Sequence, residues 1–588
     1  MPRRFRPLDR RVAWVTGASV VLAIVVSVVA QGLTGLIGLV TNLAFYGRIS
    51  TEMTSPAHNA LGLWVIGVPV LGGVVVGLMA RFGSRAIRGH GIPEAMEQVL
   101  RNESRIAPII TWLKPVSSAV AIGTGGPFGA EGPIIATGGA MGSLLGQWTH
   151  VTADERKTLL AAGAAAGMSA VFAAPMAAVL LSIELLLFER RARSLIPVAL
   201  AAAVGAAAHV LFEGAEPVFT MPALPSPALV ALVVYAAMGA LVGLASVGIT
   251  RLTYGIEDAF ERLPIHWMWW PAIGGLAVGI VGYFMPSTLG VGYENISLVL
   301  GGGLGLGAMV ALCLMKLLSW SVALGSGTSG GTLAPLFTIG GAMGGALGLA
   351  LSMWMPWLGV DPRMAALVCM AAMFAGASRA FLTSIVFAFE VTQQAHGLLP
   401  LIIACAMAYL VSGFLMRNTI MTEKIARRGV SVPSEYGADY LEQIRVREAC
   451  SRDVVSLQAN QRLGGARRRP ASAQAGTAHQ GFPVADETGA LCGVLTRRDL
   501  LDPKKDDDLL LAQLVWRKPL VVSEDDSLRD AADHMVEADV GRLVVVAGGD
   551  AARIAGIITR GDLLAAHGRR LRAAREPSRH FRFRRAST

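Results

Sequence analysis

Charged residues are scarce in this chain of 588 residues: Asp, Glu, Lys and Arg make up 16%, against 53% for hydrophobic residues. Soluble domains carry about 25% charged residues. The mean hydropathy of +0.54 is accordingly too high for a soluble enzyme, and the chain is too long for a single domain. The sequence therefore predicts a membrane protein with several apolar spans.

Cysteine is also rare, and its occurrences are isolated. None belongs to a CxxC motif or to a Cys/His spacing, which argues against a zinc site or a disulfide framework. No nucleophile–base pair or metal-binding constellation of an enzyme is evident either. We therefore predict that the protein is not an enzyme and requires no cofactor. The cysteines are Cys313, Cys369, Cys405, Cys450 and Cys492.

The net charge of +10 is concentrated outside the apolar body, at Pro2–Arg11 and Arg569–Arg585. Such clusters can bind nucleic acid, but beside membrane spans they mark the cytoplasmic side and contact anionic lipid. We expect a multi-pass protein of the plasma membrane (the inner membrane of a bacterium), with membrane lipid and no nucleic acid among its partners. The N-terminus and the C-terminal region are expected in the cytoplasm. The first apolar run, Ala13–Tyr46, is too long for a signal peptide and predicts the first span.

One apolar segment occurs twice. Read without gaps, Lys114–Gly146 matches Lys316–Gly348 at a constant offset of 202, with 15 of 33 positions identical. Both copies are interrupted by Gly and Pro. Paired interrupted segments in two halves of a chain indicate a transporter binding site near the middle of the bilayer. The alternative is ordinary Gly-rich packing between membrane helices.

Three such interruptions each predict the start of a helix. The first amides of a helix lack partners within it and carry the positive end of its dipole. Three N-termini that converge on one point would bind an anion without a buried Arg or Lys. The interruptions are Gly89-His90-Gly91-Ile92-Pro93, Gly129-Ala130-Glu131-Gly132-Pro133 and Gly331-Thr332-Leu333-Ala334-Pro335.

Glu131 is the only acid in these interruptions, and its counterpart in the repeat is Leu333. An unpaired carboxylate is costly in hydrocarbon, so Glu131 should be protonated, bonded to the free amides or facing water. A carboxylate that competes with an anion for one site acts as a gate. The alternative is a structural helix N-cap.

Other ionisable residues of the apolar part are less clearly assigned. Glu184 and Glu390 end a second, weaker pair of matching segments, and for both we favour a helix end near water. Lys114 and Lys316 share one position of the repeat and either raise the local positive potential or extend to the interface. Arg379 lies in an apolar run and is hard to explain by packing.

Residues from about 445 onward are soluble in composition and contain another repeat, because Gly493–Asp499 recurs as Gly556–Asp562 at an offset of 63. Each copy predicts a strand, a Thr at a helix N-cap and an acid in the first turn. The pattern resembles a tandem pair of cystathionine-β-synthase-type (CBS) domains, where such residues contact an adenine nucleotide. The alternative is that the acids only cap their helices. The nucleotide-binding candidates are Thr496, Asp499, Thr559 and Asp562.

The three interruptions resemble the GxGxP, G[KR]EGP and GxFxP segments of the CLC family of chloride channels and proton-coupled chloride exchangers. The resemblance covers most of residues 10–430, and a trailing CBS pair is common in that family. It implies an all-α polytopic membrane domain of inverted repeats of broken, tilted helices, followed by a cytosolic α/β CBS pair. It also implies a homodimer with one anion pathway per subunit.

The expected boundaries follow the motifs. The transmembrane domain is expected at 1–430 with repeat halves at about 10–215 and 225–425, a linker at 431–444, CBS domains at 445–505 and 512–570, and a basic tail at 571–588.

The resemblance further implies roles for individual residues. Glu131 takes the place of the gating glutamate, and the amides near Thr332 and Leu333 would coordinate the anion. His90 and Met421 stand where the family usually has serine and tyrosine ligands. The implied selectivity filter comprises Gly89, His90, Gly91, Ile92, Pro93, Gly129, Ala130, Glu131, Gly132, Pro133, Gly331, Thr332, Leu333, Ala334, Pro335 and Met421.

These departures leave the preferred anion and the proton coupling open. Neutral His donates one hydrogen bond and protonated His adds an attraction, whereas Met421 is a weak acceptor better suited to sealing the inner mouth. Leu185 replaces an acid of the family's inner proton route, so Glu184 is the candidate there.

The predicted function is gated transport of chloride or a similar monovalent anion, as a channel or as a proton-coupled antiporter, with the CBS pair as a regulatory module. One alternative is an exchanger for another anion such as fluoride or nitrate. A second is a CBS-regulated cation transporter, which should show clustered intramembrane acids.

Overall fold

The computed structural model describes residues 10–430, 432, 441, 444–472, 481–515, 519–547 and 553–575, without the side chains of 468–472 and 570–575. The described residues divide into two compact units, the first within Pro7–Tyr436 and the second within Gly437–Thr588. Most of the expected linker at 431–444, and residues 576–588 of the expected tail, lie outside the described residues.

The described part of the first unit is helical, because its long apolar stretches satisfy their backbone groups internally, as hydrocarbon requires. Short 3₁₀ helices link several of the longer helices, and π-helical turns occur at Asn42–Tyr46 and Ser182–Leu187. The 3₁₀ helices are Pro56–His58, Gly62–Ile66, Arg85–Ile87, Trp267–Trp269, Pro286–Thr288, Pro356–Leu358 and Ala395–Gly397. The α-helices are α1 (Arg10–Thr41), α2 (Gly67–Phe82), α3 (Ile92–Arg101), α4 (Ile110–Gly123), α5 (Glu131–Trp148), α6 (Ala153–Phe172), α7 (Pro175–Leu181), α8 (Ala192–Glu213), α9 (Leu229–Glu261), α10 (Trp270–Phe284), α11 (Tyr293–Gly301), α12 (Leu306–Gly325), α13 (Leu333–Trp354), α14 (Pro362–Ser378), α15 (Phe381–Thr392), α16 (Leu398–Leu415) and α17 (Glu423–Arg427).

Eight stretches of the described residues are long and apolar enough to cross a membrane. They are Arg10–Tyr46, Gly62–Phe82, Ala192–Glu213, Leu229–Glu261, Trp267–Phe284, Leu306–Gly325, Leu333–Trp354 and Ala395–Leu415. Helix α14 is apolar but shorter than these stretches, and it is almost wholly buried. The two copies of the 33-residue repeat form α4–α5 and α12–α13.

Helices α6 and α14 lie in the interior of this unit. Both are rich in Ala and Gly and nearly all of their residues are buried. Helix α6 packs on α5 and α8, and α14 packs on α13 and α16. Small side chains allow the helices to approach closely. Close packing matters here because no hydrophobic effect drives helices together within lipid.

The described part of the second unit contains two three-stranded sheets with the same topology. In each, the first strand pairs in parallel with the second, and the second pairs antiparallel with the third across a β-bulge. The strands are β1 (Leu457–Gln458), β2 (Gly481–Ala485), β3 (Leu491–Thr496), β4 (Val521–Ser523), β5 (Arg542–Val546) and β6 (Ile554–Thr559). The helices are α18 (Val446–Ala449), α19 (Leu463–Ser472), α20 (Arg497–Leu500), α21 (Leu511–Leu514), α22 (Leu528–Glu537) and α23 (Arg560–Arg575).

The predicted fold class, a polytopic all-α membrane domain followed by an α/β pair, is confirmed. Helix α23 continues to Arg575, so the first residues of the expected tail at 571–588 are helical.

Candidate functional site

The three glycine-rich interruptions meet in the first unit. The amide of Gly331 donates to the carbonyl of Gly129 at 3.1 Å, and the two residues form an isolated antiparallel bridge. The amide of Gly89 donates to the carbonyl of Thr328 at 3.3 Å, and Gly89 bridges Ser329 in parallel. Backbone hydrogen bonds therefore join the second and third interruptions directly, and they join the first to the residues just before the third, so that all three meet in one junction.

Helices α3, α5 and α13 begin at this junction. The N-cap residues of α5 and α13 are Ala130 and Thr332, and neither cap makes a side-chain hydrogen bond. The first amides of these two helices therefore have no side-chain cap. At α3, by contrast, Glu94 accepts a hydrogen bond from the amide of Gly91 at 2.7 Å. The predicted convergence of helix starts is thus present, and most of the predicted filter residues are buried there.

The junction is so tight that two of its positions admit only glycine. A Cβ on Gly132 would lie 2.9 Å from the Cα of Gly331 and would collide with the carbonyl oxygen of His90. A Cβ on Gly331 would lie 2.5 Å from the carbonyl oxygen of Gly129. Glycine at these positions lets separate backbones approach to contact distance.

Glu131 is the first residue of α5 and is 1% exposed. Its side chain folds back over Gly129, and its Oε2 lies 2.9 Å from where a Cβ on Gly331 would stand. The amides of Glu131 and Ala334, in the first turns of α5 and α13, face the carboxylate. Its Oε1 accepts a hydrogen bond from the hydroxyl of Tyr293 at 3.4 Å, while Oε2 accepts none of normal geometry from the described residues. The carboxylate therefore occupies the space in front of two helix N-termini.

Tyr293 was not among the residues predicted from the sequence. It begins α11, and its ring packs at steep angles against Phe172 and Phe219, with centroid distances of 5.7 and 5.8 Å. The signal was present as Gly290-Val-Gly-Tyr293, which repeats the pattern of Gly89-His-Gly-Ile at an offset of 201. It was missed because it lies outside the ungapped 33-residue match.

The two positions that depart from the usual ligand types are both buried. His90 is 4% exposed, and its Nδ1 has no partner among the described residues. Nearby, Lys424 forms an ion pair with Glu94 at 2.8 Å. Met421 is fully buried, and its amide donates to the Thr419 hydroxyl at 3.2 Å. No hydrogen bond or contact in the described structure assigns Met421 a ligand role.

Lys114 and Lys316 do not extend to an interface. Both are fully buried, and each binds two carbonyls of the loop that precedes it. The amino group of Lys114 donates to Ile87 and Gly89 at 2.8 and 2.7 Å. The amino group of Lys316 likewise donates to the carbonyls of Thr288 and Gly290, at 3.0 and 3.1 Å. Lysines at equivalent positions of the two halves thus hold equivalent loops.

Glu184 and Glu390 each cap a helix of the other half. The carboxylate of Glu184 accepts from the amides of Leu382 and Thr383, both at 3.0 Å, at the start of α15. The carboxylate of Glu390 accepts from Met176 and Ala177 at 3.0 and 2.8 Å, at the start of α7. Both acids thus lie at the end of a helix, as expected. Each of them, however, caps a helix of the other half and not the helix to which it belongs.

A cavity of about 760 Å³ lies beside Glu184 and Leu185. Three arginines line it, Arg379, Arg417 and Arg427. Arg379, which packing did not explain, donates to the carbonyls of Ser412, Met416 and Arg417 at the C-terminal end of α16. Among the described residues, no group of three or more His, Cys, Asp or Glu side chains is suited to a metal ion. Among the described residues that line the cavity, the charged side chains are these three arginines and Glu184, so the described wall is basic.

Comparison with known proteins places this geometry in a family. A family model described as a voltage gated chloride channel matches residues 71–413, which is more than half of the chain. The chain belongs to the CLC family. A CBS domain model also matches twice in this CLC protein, at residues 446–504 and 511–568.

Curated relatives of this CLC protein are named H⁺/Cl⁻ exchange transporter ClcA. The protein of Vibrio parahaemolyticus is 30% identical over 429 residues, covering 70% of this chain and 91% of the relative. That of Vibrio cholerae is 32% identical over 363 residues, covering 60% of this chain and 76% of the relative.

Solved structures agree with the fold. A slow cyanobacterial Cl⁻/H⁺ antiporter superposes with a TM-score of 0.65 at 22% identity, over 72% of this chain and 98% of its own. A eukaryotic CLC transporter gives a TM-score of 0.56 at 21% identity, over 94% of this chain and 97% of its own. At these identities the likeness shows the fold alone.

In the CBS pair the four candidate residues form two capping boxes. Asp499 accepts from the amide and hydroxyl of Thr496 at 2.8 and 2.6 Å, and Asp562 accepts from both groups of Thr559 at 2.8 Å. Burial raises the pKa of Asp499, the Thr496 bonds and nearby basic residues lower it, and the net shift is downward. Both acids are thus engaged within their own helix starts, and nucleotide binding stays a prediction.

Proposed function

We propose that this CLC protein moves a small monovalent anion, chloride in the first place, across the membrane, with Glu131 as its gate. One observation carries the proposal: the carboxylate of Glu131 faces the uncapped starts of α5 and α13. An anion seated there would be bound by the same amides. The relatives named as H⁺/Cl⁻ exchange transporters support chloride and protons as the partners.

The gate works by competition for one site. When ionised, Glu131 fills the anion position and blocks it. When protonated, the carboxyl loses its attraction to the helix N-termini and leaves the position to the anion. Flux should therefore increase as the pH falls.

We infer that protons reach Glu131 from the side of the basic cavity, with Glu184 at its wall as the acid of that route. Leu185 offers no proton site, whereas Glu184 is 8% exposed and lines the cavity. The arginines of that wall would also attract anions. Both features suit exchange of anion against proton.

The proposal also includes the oligomeric state, the location and the regulation of the protein. The protein would act as a homodimer in the plasma membrane, the inner membrane in a bacterium, in contact with lipid. The N-terminus and the CBS pair would be cytoplasmic, as the clusters of basic residues near both termini suggest. The pair would regulate transport by binding an adenine nucleotide.

Purified protein in liposomes tests the proposal. Vesicles loaded with KCl should release chloride when valinomycin provides a potassium shunt, and a pH electrode should record opposite proton movement. Glu131→Gln should abolish the acid response of the flux. Flux of fluoride or nitrate in place of chloride would move the assignment to another anion. Anion flux without proton movement would indicate a channel, and no flux of any monovalent anion would refute transport.

A further inference from the structure

We propose that Tyr293 is the positioning residue that holds Glu131 in the junction. The inference rests on the proposed gate and adds to it a second group, supplied by the other half of the molecule. Four observations support it: a loop that occurs in both halves, a lysine that binds each loop, the packing of the Tyr293 ring between two aromatic rings, and one hydrogen bond to Glu131.

The loop before Tyr293 is the second half's version of the filter loop. Residues 290–293 share both glycines with residues 89–92 at an offset of 201, and both glycines of each loop have positive φ. The values are 105° and 93° for Gly89 and Gly91, and 67° and 79° for Gly290 and Gly292. Glycine adopts positive φ far more readily than other residues. The shared positive φ values mean that both loops make a similar turn into a short helix, α3 or α11.

The lysine contacts confirm that the loops are equivalent. Lys114 holds the carbonyl of Gly89, and Lys316 holds that of Gly290. A Cβ on Gly292 would lie 3.2 Å from the Lys316 amino group, so this lysine lies directly behind the turn. The equivalence means that Tyr293 occupies the place that Ile92 has in the first half.

At that place the two halves differ in chemistry. Ile92 is buried and apolar, whereas Tyr293 directs its hydroxyl to Glu131 Oε1. The flanking rings of Phe172 and Phe219 leave the tyrosine ring little freedom, so the hydroxyl is directed by packing. The chain thus keeps a hydroxyl at the junction although His90 and Met421 supply none.

Among the described residues, four groups interact with the carboxylate of Glu131 by hydrogen bonding or by charge. They are the Tyr293 hydroxyl from α11, the Lys316 amino group from α12, and the amides of Glu131 and Ala334 from α5 and α13. His90 approaches this region with its backbone carbonyl, next to Gly132. A hydroxyl donates more strongly to a carboxylate than to a carboxylic acid, so Tyr293 favours the ionised, seated gate. Without the hydroxyl, less acid should be needed to release Glu131.

Tyr293→Phe tests the proposal in the liposome flux assay. The midpoint of acid activation should move to higher pH by about one unit, the size expected for a hydrogen bond to a charged group. Tyr235→Phe is the matched control, because it removes another buried tyrosine hydroxyl, which contacts the amide of Asp361 at 3.3 Å. The control should leave the midpoint unchanged. An unchanged midpoint in Tyr293→Phe would overturn the proposal.

A double variant separates positioning from a general structural effect. In the Glu131→Gln background, Tyr293→Phe should change chloride flux by less than twofold, since the carboxylate it acts through is gone. An equal effect in both backgrounds would also overturn the proposal. Should Tyr293→Phe not fold, 3-fluorotyrosine at position 293 keeps the ring and donates more strongly, so it should shift the midpoint to lower pH; no shift counts against the proposal.

The gate and the role of Tyr293 can be refuted separately. If Glu131→Gln abolishes the acid response but Tyr293→Phe leaves it intact, the gate stands and the role of Tyr293 is refuted. If Glu131→Gln itself leaves the acid response intact, the gate and the inference built on it are both refuted.

Discussion

Glu184 and Glu390 form a reciprocal pair of helix caps. Each carboxylate caps the N-terminus of the helical segment near whose C-terminal end the other acid lies. The carboxylate of Glu184, after α7, binds the amides at the start of α15, and the carboxylate of Glu390, in α15, binds those at the start of α7. A carboxylate at a helix N-terminus is stabilised both by the free amides and by the helix dipole. The two acids therefore join equivalent helices of the two halves, which gives each a structural reason to be present in an apolar environment.

Replacing these acids separates their structural role from proton transfer. Glu184→Gln and Glu390→Gln should both weaken a cap and lower the free energy of unfolding by about 1 kcal/mol. Only Glu184 lines the cavity, so only Glu184→Gln should reduce the number of protons moved per chloride. Thermal unfolding in detergent and proton–chloride stoichiometry in liposomes measure the two effects.

Two outcomes would contradict this assignment. Equal stoichiometry in the two variants would remove Glu184 from the proton route and leave it as a cap. Unchanged thermal stability in both would show that the caps contribute nothing measurable.

The sequence predicted the helix starts well, because Gly and Pro interruptions act locally and their spacing is visible in a single chain. The meeting of residues 89–93, 129–133 and 331–335 was inferred from the same physics. Contacts between the two halves of the membrane domain could not be predicted from the sequence. Glu184 and its partner Leu382 are 198 residues apart, and Tyr293 lies 162 residues from Glu131. Nothing local in the sequence indicates which helix start an acid will cap, since tertiary packing decides it.

The two buried lysines allow a matched comparison. Lys114→Met and Lys316→Met should each leave two buried carbonyls without their donor and destabilise the protein by about 1–3 kcal/mol. Only Lys316 interacts electrostatically with Glu131, whereas Lys114 faces Glu94 and Lys424. Loss of the nearby cation makes the gate easier to protonate, so only Lys316→Met should move acid activation of flux to higher pH. A shift of the same size in Lys114→Met would show that the effect is not local.

His90 is expected to tune the choice of anion. Its Nδ1 is buried without a partner among the described residues, so no hydrogen bond of that atom fixes the ring. His90→Ser would replace the imidazole by a compact hydroxyl donor, and we expect chloride affinity to rise about tenfold, as for a new hydrogen bond to a charged group. Isothermal titration with chloride, nitrate and fluoride measures the change. His209→Ser is the control, because His209 is also buried but contacts the carbonyl of Ala170 at 3.1 Å. Equal affinities in wild type and His90→Ser would exclude a selectivity role.

The capping boxes of the CBS pair predict a pH-dependent local stability. The net downward shift in the pKa of Asp499 means that its contribution is present above the ordinary pKa of Asp and is lost as the pH falls through the lower, folded value. Asp499→Asn should therefore speed hydrogen exchange at the start of α20 by about fivefold at neutral pH, the size of a lost cap. The difference from wild type should shrink in acid.

Thr496→Ser provides the control for that measurement, because it keeps the hydroxyl that donates to Asp499. Exchange in the full-length Thr496→Ser protein should match wild type. Calorimetry with ATP on the same set of proteins then distinguishes the two roles of the acid. If Asp499 contacts a nucleotide, Asp499→Asn loses ATP binding while Thr496→Ser keeps it. If the acid only caps its helix, the exchange rates change as predicted and neither substitution alters the heat of ATP addition.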